Sequence, residues 1–167
     1  MLAPMLIRDA RIEDWPAMWA FMRPIVEAGE TFTWDRAISE EQARAYWMRP
    51  APGATLVAVD DDGQILGSAE LHPNQGGGGA HVANAGFMVD PAAGGRGIGR
   101  ALADGILERA RANGFRAMVF NAVVSTNANA VHLWQSLGFD ILATVPEGYR
   151  HPEHGYVGLH IMHRRLL

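Results

Sequence analysis

A glycine-rich turn between an apolar segment and a helical pattern is the feature that most restricts how this chain folds. Four glycines fall within six residues, at 94, 95, 97 and 99, just after Val89-Asp90-Pro91. Apolar residues at helical spacing follow at once, beginning with Ile98 and Leu102. The pattern predicts a strand, a tight turn and a helix start. Glycines let the backbone approach a ligand closely, and a helix start presents unpaired N–H groups, so this element is suited to hold an anion such as a phosphate.

The spacing of the glycines excludes two common phosphate-binding motifs. No Lys-Ser or Lys-Thr follows them, as a P-loop requires. A dinucleotide fingerprint that starts at Gly95 would place its third glycine at Arg100, and such a motif belongs near the first strand of a domain rather than past mid-chain. What remains is Gly95-x-Gly97-x-Gly99 after a strand that ends in Val-Asp-Pro.

This sequence pattern resembles motif A of the GNAT superfamily of acyl-CoA-dependent N-acyltransferases, Gln/Arg-x-x-Gly-x-Gly/Ala. Gly94 stands at the first position, where the family has Gln or Arg. The family uses this stretch mainly through its backbone, whose N–H groups bind the pyrophosphate of coenzyme A. The resemblance therefore implies coenzyme contacts along the whole turn, from Gly94, Gly95, Arg96, Gly97, Ile98, Gly99 and Arg100.

A second segment agrees with the first. Residues 127–139 resemble the family's Asn-x-x-Ala-x-x-x-Tyr-x-x-x-Gly-Phe segment, with one helix and one strand between the two blocks. The matching positions are Asn127, Ala130, Gly138 and Phe139, and Trp134 stands in place of the tyrosine. The resemblance implies that Asn127 holds the pantetheine arm and that Trp134 lies on the coenzyme side.

Length and apolar content predict one domain that spans residues 1–167, because 167 residues with 49% apolar content can build a full core. The element pattern is α/β, and the resemblance implies a GNAT fold, a mixed, mostly antiparallel sheet of six to seven strands flanked by about four helices. Strands are expected near 5–8, 54–59, 65–71, 81–89, 117–124, 139–145 and 156–163, and helices near 13–28, 39–49, 98–113 and 127–137. Pro24 is expected to end or kink the first helix, and residues 146–155 to form a loop.

Composition excludes several classes of function. The net charge is −4 with no basic stripe, so a nucleic-acid partner is not expected. The absence of cysteine excludes thiol catalysis. No signal peptide and no apolar run of roughly 20 residues is present, so a cytoplasmic protein without a membrane contact is expected. No metal is expected either, because the histidines match no zinc spacing; they lie at 151, 154, 160 and 163.

The resemblance implies transfer of an acetyl group from acetyl-CoA to an amine by direct attack. The backbone of Met88 and Val89, on the strand before the glycine turn, would hold the pantetheine and the thioester carbonyl. Many relatives carry a glutamate as base or water-orienter where Asn84 stands, and a tyrosine as acid where Trp134 stands. An amide cannot take up a proton at neutral pH, so Asn84 can only orient a substrate or a water.

Other side chains must therefore supply the base. The alternatives are Glu70 and His72 at the end of the strand expected near 65–71, Glu30 in an aromatic loop, and His81. Histidine suits the role because the ordinary pKa of an imidazole lies near neutrality. Catalytic residues are thus sought among Asn84, His72 and Glu70. The loop at 30–35 is expected to wall the acceptor site, with Glu30, Phe32, Trp34 and Asn84 as substrate contacts.

Asn84, Trp134 and the segment 120–127 resemble a narrower branch, related to fungal acetyltransferases of azetidine-2-carboxylate. That branch implies a small cyclic secondary amine with a carboxylate as acceptor. Two other classes stay open: a non-catalytic acyl-CoA-binding or sensing module, and a protein N-terminal or lysine acetyltransferase. A homodimer is an expectation from the resemblance alone.

Overall fold

The computed structural model describes residues 4–167, and seven strands within them form one sheet. Only β4 and β5 pair in parallel, and every other neighbouring pair is antiparallel. The mixed, mostly antiparallel sheet is thus confirmed. The strands are β1 (Met5–Asp9), β2 (Ala54–Asp60), β3 (Ile65–Pro73), β4 (Val82–Val89), β5 (Ala117–Val124), β6 (Asp140–His151) and β7 (Gly155–Arg165), in the spatial order β1-β2-β3-β4-β5-β7-β6.

Four α-helices within the described residues cover the two faces of the sheet: α1 (Trp15–Ala28), α2 (Glu40–Trp47), α3 (Ile98–Ala112) and α4 (Ala128–Ser136). Successive side chains of a strand point to opposite faces, and the core divides accordingly. Leu56 and Ala58 pack in the cluster that contains α3 and α4, whereas Val57 and Val59 pack in the cluster that contains α1 and α2.

The first helix continues through its proline, so Pro24 does not end it. α1 runs to Ala28 and ends at Gly29, which adopts a left-handed conformation. Pro24 faces solvent, while Met22 and Val26 on either side of it are buried. Tertiary packing of this apolar face outweighs the one hydrogen bond that the proline removes.

The expected loop at 146–155 is also wrong, because β6 continues to His151. A bulge between Val145 and Tyr149 takes Pro146 and its neighbours out of the ladder with β7. Glu147 adopts φ +53° within it. A proline is tolerated at a bulge because its missing N–H is not needed there, so the strand resumes beyond it.

The parallel pair β4–β5 opens after two residue pairs. Val82 and Ala83 pair with Ala117 and Met118, and beyond them the two strands separate. The indole of Trp134 from α4 lies with its centroid 4.7 Å from the rings of both Phe87 on β4 and Phe120 on β5. The rings of Phe87 and Phe120 also contact each other, with centroids 6.1 Å apart, so the three rings form one cluster beneath the separated strands. The opening between them is called the β4–β5 gap below.

An ion pair fixes the start of α1 to β1. The guanidinium of Arg8 donates to both carboxylate oxygens of Asp14, at 2.7 and 3.0 Å, and the Arg11 backbone N–H donates to the same carboxylate. The hydrogen bonds from Arg8 hold the pKa of Asp14 below its ordinary value. A group with a lowered folded pKa stabilises the protein above its unfolded pKa, and that stabilisation is lost as the pH falls through the folded pKa.

We expect Asp14→Asn to lower the free energy of unfolding by about 1–3 kcal/mol at pH 7, because hydrogen bonds to a charged group are lost. The difference from the native protein should shrink as the pH falls from about 4 toward the lower folded pKa. Urea unfolding at pH 7 and at a pH below about 4 measures both effects. Glu27→Gln is the control, since its pair with Arg23 is exposed. Equal losses in the two variants at pH 7 would contradict the prediction.

Candidate active site

The glycine-rich turn leaves a run of free backbone donors at the start of α3. Gly95 and Gly97 adopt left-handed conformations, with φ +80° and +72°. Within residues 4–167, the six consecutive N–H groups from Gly95 to Arg100 donate to no acceptor. Left-handed glycines followed by a helix start are the arrangement that binds a diphosphate.

Side chains contribute less to this turn than its backbone. Ile98 is buried in the core, so only its N–H is available to a ligand. The guanidinium of Arg100 donates to the Ser136 hydroxyl at 3.3 Å, and Arg96 is partly exposed. The Gly94 N–H faces the Pro91 carbonyl at 3.5 Å, a long contact.

The pairing of β4 with β3 decides which backbone groups of β4 face the gap. The Asp90 N–H donates to the Leu66 carbonyl, and hydrogen-bonded pairs then recur at every second residue. Met88 lies opposite Ser68 in this alternation, so its backbone points to β3, and its side chain is buried against α1 and α2. The Met88 backbone is therefore engaged with β3 and is not free for the coenzyme contact expected of it. Backbone groups that point away from β3, toward the gap, belong to Ala85, Phe87 and Val89.

A cavity of about 340 Å³ passes through the β4–β5 gap and reaches both faces of the sheet. Its lining on the α1/α2 side includes Phe32, Trp34, Arg49, Glu70, His72 and Asn84. Its lining on the other side includes Phe87, Phe120, Asn127, Ala130 and Trp134. Asn127 and Trp134 from the residues predicted for the coenzyme thus line the same cavity as Phe32, Trp34 and Asn84 from those predicted for the acceptor.

Glu70 and His72 form a hydrogen-bonded pair in this cavity. The Nδ1 of His72 lies 2.6 Å from Oε2 of Glu70, whose side chain is only 7% exposed. The Nε of Arg49 donates to the same oxygen at 3.2 Å. The other oxygen, Oε1, lies against Gly86, where an added Cβ would come within 3.1 Å of it. The carboxylate is therefore buried and held in place by its contacts.

Asn84 lies directly across the ladder from His72. Its side-chain oxygen accepts from the Ala85 N–H at 2.8 Å, and its amide nitrogen lies 3.4 Å from Oδ1 of Asn74. Asn121 on β5 donates to that same Asn74 oxygen at 2.7 Å. A network of asparagine amides thus lies where the strands begin to separate, with no group that can accept a proton.

The aromatic loop forms one wall of the cavity, as expected for Phe32 and Trp34. Both rings pack on Trp47 of α2, with centroids 6.1 and 5.8 Å away. The Tyr149 hydroxyl on β6 lies 2.5 Å from the carbonyl oxygen of Gly29 and 3.1 Å from that of Phe32, and donates its proton to this pair. Burial raises the pKa of Tyr149 above its ordinary value, so the phenol stays a donor at neutral pH.

Two candidates from the sequence do not reach the cavity. Glu30 and His81 are both exposed and do not line it, so neither is placed to act on an acceptor there. Trp134 lines the cavity but is mainly a packing residue, since only 8% of it is exposed. Asn127 caps α4, with its oxygen accepting from the Ala130 N–H at 3.4 Å, and its amide group borders the cavity.

Sequence reasoning missed three residues of the site. Trp47 has the helical spacing of a core residue, and Arg49 lies between a helix end and a proline, so neither pattern marks a site. Tyr149 fell in the segment expected to be a loop.

No group of three His, Cys, Asp or Glu side chains in residues 4–167 is arranged to hold a metal ion. Nor does any helix of that part of the chain have the length and apolarity to cross a membrane.

Comparison with known proteins agrees with this geometry. The model of the Acetyltransferase (GNAT) family matches residues 15–139. A GCN5-related N-acetyltransferase of known structure from Kribbella flavida is 56% identical, over 96% of this chain and 97% of that chain, with a TM-score of 0.94. N-acetyltransferase aca1 of Schizosaccharomyces pombe is 30% identical, over 84% of this chain and 75% of the yeast protein. The L-methionine sulfoximine/L-methionine sulfone acetyltransferase of Pseudomonas aeruginosa is 33% identical, over 84% and 83%.

The chain therefore belongs to the GNAT acetyltransferase family. It is an acetyl-CoA-dependent N-acetyltransferase, and the likeness to a fungal N-acetyltransferase agrees with the branch that residues 120–127 indicated.

We expect Gly95→Ala to raise the Kd for acetyl-CoA roughly five- to thirtyfold, because a side chain costs about 1–2 kcal/mol in the left-handed conformation that binding must restore. An added Cβ meets nothing within 4 Å, so the effect is on the backbone alone. Gly114→Ala at the other end of α3 is the matched control, with φ +85° and equally open space. Calorimetric titration measures both, and an equal loss of affinity in the control would contradict a role for the turn.

We expect Tyr149→Phe to raise the hydrogen–deuterium exchange rate of residues 29–34 about fivefold, because one buried hydrogen bond of roughly 1 kcal/mol is lost. Tyr156→Phe on the neighbouring strand serves as control, since Tyr156 is 64% exposed. Unchanged exchange in Tyr149→Phe would show that the aromatic loop is held by packing alone.

Proposed function

We propose that this acetyltransferase acts on the amine of a small molecule, an amino-acid-like compound or a cyclic secondary amine, by direct nucleophilic attack. The observation that carries the proposal is the hydrogen-bonded pair of buried Glu70 and half-buried His72 in a cavity at the β4–β5 gap. A volume of about 340 Å³ between aromatic walls suits a small acceptor.

The residues present fit acetyl-CoA as the acetyl donor. The free N–H groups from Gly95 to Arg100 would hold its diphosphate, and the outward backbone of Val89 and the amide of Asn127 would hold the pantetheine arm. Bound there, acetyl-CoA supplies an acetyl thioester to the amine, and the chain has no cysteine to carry the acetyl group in between.

His72 is the base in this proposal. Its Nδ1 faces the Glu70 carboxylate, which places the proton on Nδ1 and leaves the lone pair on Nε2. That nitrogen accepts the proton of the attacking amine. Glu70 orients the ring and stabilises the imidazolium that forms, as a carboxylate does for a catalytic histidine.

Asn84 and Trp134 take lesser roles. Asn84 lies opposite His72 and holds the acceptor or a water in place, since an amide is no base. The indole of Trp134 is no useful acid, so the thiolate of coenzyme A leaves without a proton from it. A thiolate is stable enough for this, which is why the missing tyrosine is tolerable.

The acceptor class is supported by relatives of similar sequence. The Pseudomonas enzyme is named for L-methionine sulfoximine and L-methionine sulfone, which are amino acids with a free α-amine. Azetidine-2-carboxylate, the acceptor of the fungal branch, combines a secondary amine with a carboxylate. A panel of both kinds of amine, with release of free thiol as readout, tests the proposal. Release of thiol with peptides alone would favour a protein acetyltransferase. Binding of acetyl-CoA without release of thiol for any amine would favour a non-catalytic module.

We expect His72→Ala to lower kcat at least tenfold at neutral pH, since general-base catalysis contributes about 10²–10⁴-fold. Affinity for acetyl-CoA should stay at the native value. His81→Ala is the matched control, because His81 is exposed and outside the cavity. A kcat near that of the native enzyme in His72→Ala would eliminate His72 as the base.

A further inference from the structure

Arg49 is the charged residue of the cavity that the proposed chemistry leaves without a role. It lies two residues after the end of α2, and its backbone N–H donates to the Thr55 hydroxyl at 3.0 Å, which fixes its position over β2. Its side chain lines the cavity and is 27% exposed. A largely buried guanidinium is costly to keep unless its donors are used.

Only one edge of the guanidinium is used within the protein. Nε donates to Oε2 of Glu70, and in residues 4–167 neither Nη group has an acceptor. No buried side-chain nitrogen or oxygen of this part of the chain is left unpaired, so the Nη groups are not enclosed by protein. They are open to a ligand as a pair of parallel donors, the geometry that matches a carboxylate.

The charged side chains of the cavity lie in a fixed order. Arg49 is its single arginine, and the lining residues include no lysine. Glu70 lies between Arg49 and His72, in contact with both. An acceptor whose amine lies at His72 therefore meets a fixed positive charge on the far side of Glu70, where a second carboxylate is stabilised rather than repelled.

We propose that Arg49 binds a carboxylate of the acceptor through its two Nη groups, so that the enzyme selects amines that also carry a carboxylate. This rests on the proposed function and names the substrate class of the same site. Arg49 is a specificity residue here, and the base remains His72.

A purely structural role for Arg49 gives a different result. If Arg49 only held Glu70 in place, its loss would impair His72 for every acceptor alike. If Arg49 binds the acceptor, its loss affects acceptors with a carboxylate and spares those without one. The ratio of the two effects separates the roles.

The test compares each acceptor with its carboxamide: azetidine-2-carboxylate and L-methionine sulfone, each against the matching amide. Arg49→Gln should lower kcat/KM for the acids at least tenfold, mainly through KM, and for the amides less than threefold. Arg49→Lys keeps the charge but loses the paired donors, so its loss for the acids should be smaller. Arg109→Gln, whose ion pair with Asp9 lies outside this cavity, should leave the preference for acids unchanged.

Equal losses for acids and amides in Arg49→Gln would overturn the proposal, as would a native enzyme that prefers the amides. Either result would leave the proposed function standing. If none of the amines tested causes release of thiol, the proposed function itself is contradicted. In that case, the role of Arg49 is tested by calorimetric titration of the two acids and their amides into the enzyme with coenzyme A. The proposal is supported if Arg49→Gln weakens binding of the acids but not of the amides. It is overturned if the acids bind Arg49→Gln and the native enzyme equally well.

Discussion

The separation of β4 from β5 is the constraint on which the rest of the site depends. Two residue pairs join these strands, and beyond them Phe87, Phe120 and Trp134 pack against one another beneath the opening. A closed parallel pair would use its backbone groups in the ladder and would seal the sheet. The open pair leaves backbone groups of Phe87 and Val89 outside any ladder, and the cavity at the gap is lined by residues from both faces of the sheet.

The two sides of this passage are built by different means. On the side proposed for the coenzyme, the available groups are mostly backbone N–H groups at a helix start, which are fixed by secondary structure and depend little on side-chain identity. On the side proposed for the acceptor, the groups are side chains on β3, β4 and the segment after α2, held by one another: Arg49 on Glu70, Glu70 on His72. Substitution therefore changes the acceptor side with little effect on the coenzyme side.

The same division decides what the sequence could predict. The glycine turn and β4 before it could be predicted from local patterns, because positive φ is a property of a few neighbouring residues. Glu70 and His72 were candidates because a carboxylate and an imidazole can take up a proton. Arg49 and Tyr149 had no local signal, since they meet partners 21 and 117–120 residues away. The sequence gives no sign of which way Glu30 faces, and it does not show that core packing carries α1 through Pro24.

The contact of Tyr149 with residues 29 and 32 has a consequence for biosynthesis. A nascent chain that has left the ribosome up to the end of β5 already contains the glycine turn, α3 and both strands of the gap. Its aromatic loop still lacks the hydrogen bonds from Tyr149, because β6 follows β5 in the chain. The contacts that hold the aromatic loop are therefore completed only after β6 has been synthesised.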